Sequence, residues 1–175
     1  MSVDWVRLTL DLNAFDETPF EPRLRKCREA GITFTTMSEL GDTAENRRAL
    51  YELNKTCAAD IPERGEFYTY DAYVAERIET PTYNPCCVTL ALEGPTWVGM
   101  STASLHPDHA FNEMTGVLPT HRAQGLALSL KLLTLTHTRT HDVPTVTTFH
   151  HPANTAMITL NRQLGHVPVA DANGG

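Results

Sequence analysis

Residues 117–130, VLPTHRAQGLALSL, decide the fold: an apolar tripeptide leads into Thr-His-Arg-Ala-Gln-Gly, and a leucine-rich run follows. Arg122 stands three residues before Gly125, at the point where a strand pattern changes into a helix pattern. Gly125 can relieve a tight strand-to-helix turn, because glycine accepts a positive φ. Alternatively, the first turn of the helix binds an anion such as a pyrophosphate, because its N–H groups have no intrahelical partners. The segment alone leaves both interpretations open.

The composition is that of one globular domain over residues 1–175. Hydrophobic residues make up 41% of the chain and charged residues 20%, as is ordinary for a soluble globular protein. Lys and Arg number 14 against 21 Asp and Glu, so the formal net charge is −7. A negative surface repels nucleic acid and anionic membranes, so neither is expected as a partner, whereas cationic molecules are favoured.

The cysteines and the N-terminal segment favour a cytoplasmic setting. The four cysteines, Cys27, Cys57, Cys86 and Cys87, have neither metal-ligand spacing nor the density of a disulfide framework. No run approaches the roughly 18 apolar residues of a membrane span. The start, MSVDWVRLTLDL, lacks the basic and apolar blocks of a signal peptide. We therefore expect a cytoplasmic protein without a membrane segment and without a metal site.

The first half of the chain predicts one strand, one helix and then further elements of both kinds. Apolar and polar residues alternate over 3–12, which predicts a strand. Thr18 as N-cap and Glu21 at the capping-box position predict the start of a helix that ends at Gly31. Later patterns predict a strand at 32–37 and helices at 43–59 and 69–79.

The second half predicts an antiparallel meander followed by alternating helices and strands. The meander has strands at 86–92, 97–105 and 112–118. The elements after it are a helix from Gln124 to about His141, a strand at 145–150, a helix from Asn154 to Leu164 and a strand at 166–170. This order predicts a mixed α/β, or α+β, domain with a central sheet flanked by helices.

A second motif lies downstream, in TVTTFHHPANTAMITLNRQLGH at 145–166. The chain thus pairs V-x-P-x-x-R-x-x-G-x-A, at 117–127, with N-x-x-M-x-x-x-N-x-x-L-G, at 154–165. This pairing resembles the GNAT superfamily of N-acetyltransferases, and in particular its actinobacterial-type subgroup. The likeness is best over 113–166 and covers most of the chain.

The resemblance implies a central mixed, twisted sheet in which two parallel strands splay apart to form a slot for acetyl-CoA. The pantetheine would pair with the edge of the first strand, and the pyrophosphate would meet the N–H groups at the start of the helix. Asn154 would lie on the cofactor side. The residues expected to bind the cofactor are Val117, Leu118, Arg122, Ala123, Gln124, Gly125, Leu126, Ala127 and Asn154.

The chain departs from the family pattern at several positions that matter for catalysis. Many members have a tyrosine that protonates the departing thiolate at the position of Asn161, and an amide cannot act as a general acid at neutral pH. Asn161 is instead expected to hydrogen-bond the thioester. His150 replaces an asparagine of the subgroup and is expected to act near the acyl end. Ala123 replaces the usual second glycine of the loop and is acceptable only where φ need not be positive.

Glu113 is the candidate for the base that takes a proton from the acceptor amine. It lies on the strand that leads into the cofactor loop, and a carboxylate there can receive the proton through a water. The other interpretation is a strand residue that faces solvent. Side-chain direction alternates along a strand, so a register error of one residue would exchange the two interpretations.

The end of the chain leaves one strand position of the expected sheet vacant. Only ten residues follow Gly165, and the last five, DANGG, cannot form a core strand. The N-terminal strand and helix, residues 1–31, are an extension that can complete the sheet. It would do so within one subunit or by exchange in a homodimer, and both stay open.

The expected function is acetyl transfer from acetyl-CoA to a primary amine of a small, cationic molecule. Transfer would be direct, within a ternary complex, and Glu113, Asn161 and His150 are the expected catalytic residues. One alternative is a GNAT-fold module that binds CoA with little or no catalysis. Another is an N-acetyltransferase that acts on peptides or proteins.

Overall fold

A seven-stranded sheet with helices on both faces forms the centre of the protein. The structure, a computed structural model, describes residues 2–62 and 64–170. The strands are β1 (Val6–Asp11), β2 (Ile32–Thr36), β3 (Val88–Glu93), β4 (Thr96–Leu105), β5 (Ala110–Val117), β6 (Thr145–His150) and β7 (Val167–Pro168). The helices are α1 (Glu21–Glu29), α2 (Met37–Leu40), α3 (Ala44–Ala58), α4 (Tyr70–Tyr73), α5 (Leu126–Arg139) and α6 (Thr155–Gln163).

The strand order is β2-β3-β4-β5-β6-β1-β7. Strands β5 and β6 pair in parallel, and the other neighbouring pairs are antiparallel. The helix α5 provides the crossover that a parallel pair requires. The mixed α/β fold class predicted from the sequence, with one parallel strand pair, is thereby confirmed.

The N-terminal strand lies inside the sheet rather than at its edge. Strand β1 pairs with β6 on one side and with β7 on the other, so that Leu8 stands between Thr148 and Pro168. Leu8 is fully buried, because the strand turns its alternate side chains into the core. The tail 171–175, expected to form no core strand, lies outside the described residues.

The sheet separates two groups of helices, and each group packs on its own face of the sheet. On one face of the sheet, α3 and α4 pack on strand residues that include Val88, Leu90 and Met100. On the other face, α5 packs on Ala91 and Val98. Alternation places Leu90 and Ala91 on opposite faces, and a β-bulge at Val98 breaks the alternation of β4, so that Val98 and Met100 also face opposite sides. In the described parts of the chain, no helix combines the length and the hydropathy of a membrane span.

Several predicted boundaries move in the structure. Thr18 is not an N-cap: it opens a short 3₁₀ turn, and α1 begins only at Glu21. The helix predicted over 69–79 is four residues of α-helix followed by a π-helical turn, Val74–Ile78. Helix α5 begins at Leu126 rather than near Gln124, because Gly125 has a φ of +80° and cannot belong to a right-handed helix.

Candidate functional site

A fork between β5 and β6 opens the sheet. The two strands pair only at Ala110 with Val146 and at Phe111 with Thr147. The register against β4 then shifts, and Glu113 is left without an opposite residue. Such a β-bulge bends the strand that contains it. The bulge therefore explains why β5 turns away from β6 directly after Phe111.

The fork widens into a slot with a volume of about 770 Å³. Its walls come from β5, from the ends of β6 and α3, and from the first turns of α5 and α6. Of the residues predicted to bind the cofactor, four line the slot: Val117, Arg122, Ala127 and Asn154. The other five residues do not line it. Ala123, Gln124 and Gly125 are exposed in the adjoining loop, Leu118 is half-buried and Leu126 is buried in the core.

The loop before α5 exposes the start of that helix. No side chain caps α5, so the N–H groups of its first turn have no partner from a cap. Gly125, at the N-cap position, and Ala123 both have positive φ, of +80° and +62°. From the sequence, alanine was acceptable at position 123 only if φ there need not be positive. In the structure φ is positive, so Ala123 has a conformation that is strained for an L-residue.

Arg122 fastens the loop to its surroundings. Its Nε donates to the carbonyl oxygen of Val117 at 3.1 Å, and its guanidinium contacts Asp60 Oδ2 at 2.7 Å. Arg122 therefore joins the end of β5 to the chain that follows α3. These contacts give Arg122 a role in positioning the loop.

His150 lines the slot, whereas Asn161 does not. Asn161 is fully buried, and its amide nitrogen lies 2.7 Å from His150 Nε2. His166, also buried, contacts the carbonyl oxygen of Asn161 through Nδ1 at 2.9 Å. Asn161 therefore reaches the slot only through His150, and its contact with a thioester stays a prediction.

Lys131 is a buried residue that sequence analysis missed. It is 1% exposed, and its Nζ donates to Asn112 Oδ1, in the wall of the slot, at 2.6 Å. Burial lowers the pKa of Lys131 to about 7. Burial, together with the charge of Lys131, lowers the pKa of His150 to about 4, so this imidazole is neutral at pH 7. The spacing of Lys131 from Leu128 and Leu135, on one helix face, was the available signal.

Glu113 stands at the junction of the slot with a second, smaller cavity. It lines both, and the second cavity, of about 100 Å³, lies between the sheet and helices α3 and α4. Its Oε1 accepts from Ser104 Oγ at 2.7 Å, and its Oε2 pairs with Arg77 at 3.1 Å. The side chain is 26% exposed, which matches neither a core residue nor a freely solvated one.

The comparisons with known proteins agree with this geometry. The sequence profile described as the Acetyltransferase (GNAT) family matches residues 47–166. A relative from Thermobispora bispora, named Mycothiol acetyltransferase, is 30% identical over 131 residues, which are 71% of this chain and 44% of the relative. One of the same name from Streptomyces griseus is 27% identical over 77% of this chain and 43% of its own length. The chain thus spans less than half the length of these curated relatives.

Solved structures show the same fold. A GCN5-related N-acetyltransferase from Sphaerobacter thermophilus superposes with a TM-score of 0.70 at 19% identity, over 95% of this chain and 49% of its own. A tandem GNAT protein from the clavulanic acid biosynthesis pathway superposes with a TM-score of 0.63 at 21% identity, over 96% of this chain and 51% of its own. The fold expected from the resemblance is therefore confirmed.

Proposed function

Because the chain belongs to the Acetyltransferase (GNAT) family, whose cofactor is acetyl-CoA, we propose that it transfers an acetyl group from acetyl-CoA to a primary amine of a small molecule. The observation that carries this proposal is the fork. It opens beside an uncapped helix start at one end and beside a carboxylate, Glu113, at the other. These are the two functions that such a transfer needs, an anion site and a proton acceptor.

The residues present fit the cofactor. Beyond Phe111, the β6-facing edge of β5 has no strand partner in the described structure, so its backbone can bond an extended amide chain. The first turn of α5 would hold the pyrophosphate, since its N–H groups and the helix dipole favour negative charge. Asn154, at the start of α6, lines the same slot. When bound, acetyl-CoA supplies the acetyl group as an activated thioester.

We propose direct transfer rather than transfer through an acyl-enzyme. Cys57 lines the slot, and burial raises the pKa of its thiol to about 11 against the opposing charge of Arg122. At neutral pH it is a thiol, which is a weak nucleophile. The other three cysteines, Cys27, Cys86 and Cys87, do not line the slot. A bound amine is then the nucleophile that remains.

Glu113 would receive the proton of the amine, and Ser104 would fix the direction of its carboxylate. His150 would act as a neutral hydrogen-bonding group beside the thioester. Asn161 holds that imidazole from behind, so its proposed role is to position His150. The ammonium form of the acceptor supplies the positive charge that a net charge of −7 favours.

A glutamine at position 113 tests the proposal. We expect Glu113→Gln to lower kcat about 100-fold or more, because general-base catalysis contributes roughly 10²–10⁴-fold. Acetyl-CoA affinity, measured by calorimetry, should change little. Turnover is measured as release of CoA thiol with a panel of amines, and Glu29→Gln, at an exposed position of α1, is the matched control. Failure of the protein to bind acetyl-CoA would contradict the proposal, and full activity of Glu113→Gln would remove Glu113 from it.

Two other functions have specific support. A module that binds CoA without catalysis is favoured by the burial of Asn161 and by the absence of tyrosine among the described residues of the slot. Tight CoA binding without thiol release for any amine would establish it. Peptide or protein acetylation is favoured by exposed rings at the mouth of the slot, on Trp5 and Phe149. The relatives' name favours a small-molecule acceptor.

A homodimer and a cytoplasmic setting remain proposals. At the β6-β1-β7 end of the sheet, five large apolar side chains are exposed: Val3, Trp5, Phe149, Val167 and Val169. We propose that a second copy of the chain would bury these side chains. Light scattering on the purified protein and on Phe149→Ser would decide it. The four cysteines are free, as a reducing compartment allows.

A further inference from the structure

Two arginines line the two cavities that meet at Glu113. Arg64 lines the slot, and Arg77 lines the second cavity beside Glu113. Both lie against one aromatic cluster. The Arg64 guanidinium carbon is 4.6 Å from the Phe67 ring centre, and that of Arg77 is 5.9 Å from the Tyr68 ring centre. A protein with a net charge of −7 therefore places two positive groups beside its proposed reaction centre.

Arg64 has no anionic partner among residues 2–62 and 64–170. Its Nε is buried and makes no hydrogen bond to a described residue, and it has no described ion pair. Burial lowers the pKa of Arg64, and the charge of Arg77 acts in the same direction. A partly buried guanidinium that meets no carboxylate among these residues is costly, so a ligand that brings an anion would be stabilised there.

Arg77 is held by the same carboxylate that the amine must reach. Its contact with Glu113 Oε2, at 3.1 Å, occupies one of the two oxygens, and Ser104 occupies the other. An acceptor ammonium that approaches Glu113 competes with Arg77 for this carboxylate. Arg77 would then need another anion, since unpairing a partly buried charge is unfavourable. An acceptor that carries both an ammonium and a carboxylate can replace the Glu113–Arg77 pair. Its ammonium then pairs with Glu113 and its carboxylate with Arg77, so neither side chain is left unpaired.

We infer that the acceptor carries a carboxylate a few bonds from its primary amine, as an amino acid does. The amine meets Glu113, and the carboxylate binds to the guanidinium groups of Arg77 and Arg64. A planar guanidinium matches a carboxylate with two parallel hydrogen bonds, which is why arginine serves this purpose better than lysine. This inference rests on the proposed acetyl transfer and narrows its acceptor from any small amine to a zwitterion.

Matched pairs of acceptors test the inference by activity. The twenty amino acids, their amides and O-phosphoethanolamine are each offered with acetyl-CoA, and release of CoA thiol is measured. For the best acceptor, we expect kcat/KM to be at least tenfold higher for the acid than for its amide. Arg77→Gln and Arg64→Gln should each reduce this ratio at least fivefold. Arg48→Gln is the control, because Arg48 also stacks on a ring, that of Tyr70 at 4.3 Å, but lines neither cavity.

A binding measurement separates this inference from the proposed function. N-acetyl amino acids and their amides are titrated into the protein–CoA complex in a calorimeter. Tighter binding of the acids than of the amides, lost in Arg77→Gln, supports the inference whether or not thiol is released. A lack of thiol release with every amine would instead overturn the proposed transfer activity. Equal use of acids and amides, or a preference for O-phosphoethanolamine, overturns the inference while acetyl transfer stands. If no amino acid derivative is acetylated or bound, the inference is wrong.

Discussion

The loop before α5 contains one residue in a conformation that its type disfavours. Ala123 has a φ of +62°, in the left-handed region where the Cβ of an L-residue meets the following carbonyl. Replacement by glycine removes that strain at the cost of a more flexible unfolded chain. We expect Ala123→Gly to raise the free energy of unfolding by up to about 1 kcal/mol, measured by urea unfolding.

Ala127 provides the matched control for that change. It lies in the first turn of α5, where a glycine is destabilising by roughly 0.5–1 kcal/mol relative to alanine. Ala127→Gly should therefore lower the free energy of unfolding, whereas Ala123→Gly should raise it. A decrease for both variants would show that the positive φ of Ala123 is not a source of strain.

At single positions, the sequence indicated which residues could take part in the chemistry better than it indicated which way their side chains point. Glu113 was left between a base and a solvent-facing residue, because alternation along β5 was the only guide. The bulge at Glu113 breaks that alternation, and the register of β4 against β5 sets it, which no local pattern reports. Lys131 was missed for a related reason: a lysine inside a leucine-rich helix is read as exposed unless the burial of its face is known.

The contact between α3 and β5 depends on a glycine with an ordinary backbone conformation. A Cβ built at Gly116 would lie 2.5 Å from Cys57 Cβ, a position fixed by the backbone of α3. We expect Gly116→Ala to lower the free energy of unfolding by about 1–3 kcal/mol, because overpacking forces the helix away from the sheet. Thermal and urea unfolding would measure it.

Gly99 gives a graded comparison on the neighbouring strand. The nearest atom to a Cβ there is Leu130 Cδ1, at 2.8 Å, the far end of a side chain that can change rotamer. Gly99→Ala should therefore cost less than Gly116→Ala. An equal or greater cost would mean that α3 adjusts more readily than Leu130 does.

The order of helices and strands could be predicted from the sequence because each element depends on local periodicity. Which strands lie next to each other depends on distant residues and could not. The β5-loop-α5 segment carries its own signals, in the glycine of the turn and in the leucine spacing. The position of β1 between β6 and β7 depends on pairing with residues about 140 positions away in the chain, as at Val6 with His150. The missing strand at the end of the chain suggested that the N-terminal strand completes the sheet. It did not indicate that this strand lies between β6 and β7.

For the whole molecule, buried basic groups set how stability depends on pH. Burial lowers the pKa of His150 to about 4 and that of His166 to about 3, against an ordinary value of 6.5. The unfolded chain therefore binds more protons than the folded one between these values. The contribution of the two histidines to the free energy of unfolding is fully present above pH 6.5 and is lost as the pH falls toward 4. Lys131, with a pKa lowered from 10.5 to about 7, adds a second region in which stability rises as the pH increases above 7.

These two regions give a prediction with separate variants. We expect the free energy of unfolding in urea to rise from pH 4 to 6.5 and again from pH 7 to 9, by at most about 1.4 kcal/mol per pH unit for each group. Above pH 9 the buried thiols of Cys57 and Cys87, with pKa values of about 11, act in the opposite direction, so the upper window ends there. Lys131→Met should abolish the upper rise and reduce the lower one only in part, because burial is the larger cause of both histidine pKa shifts and the charge of Lys131 the smaller. His166→Phe should reduce only the lower one. An upper rise that persists in Lys131→Met would mean that another group causes it, and that the amine contacting Asn112 has an ordinary pKa in the folded protein.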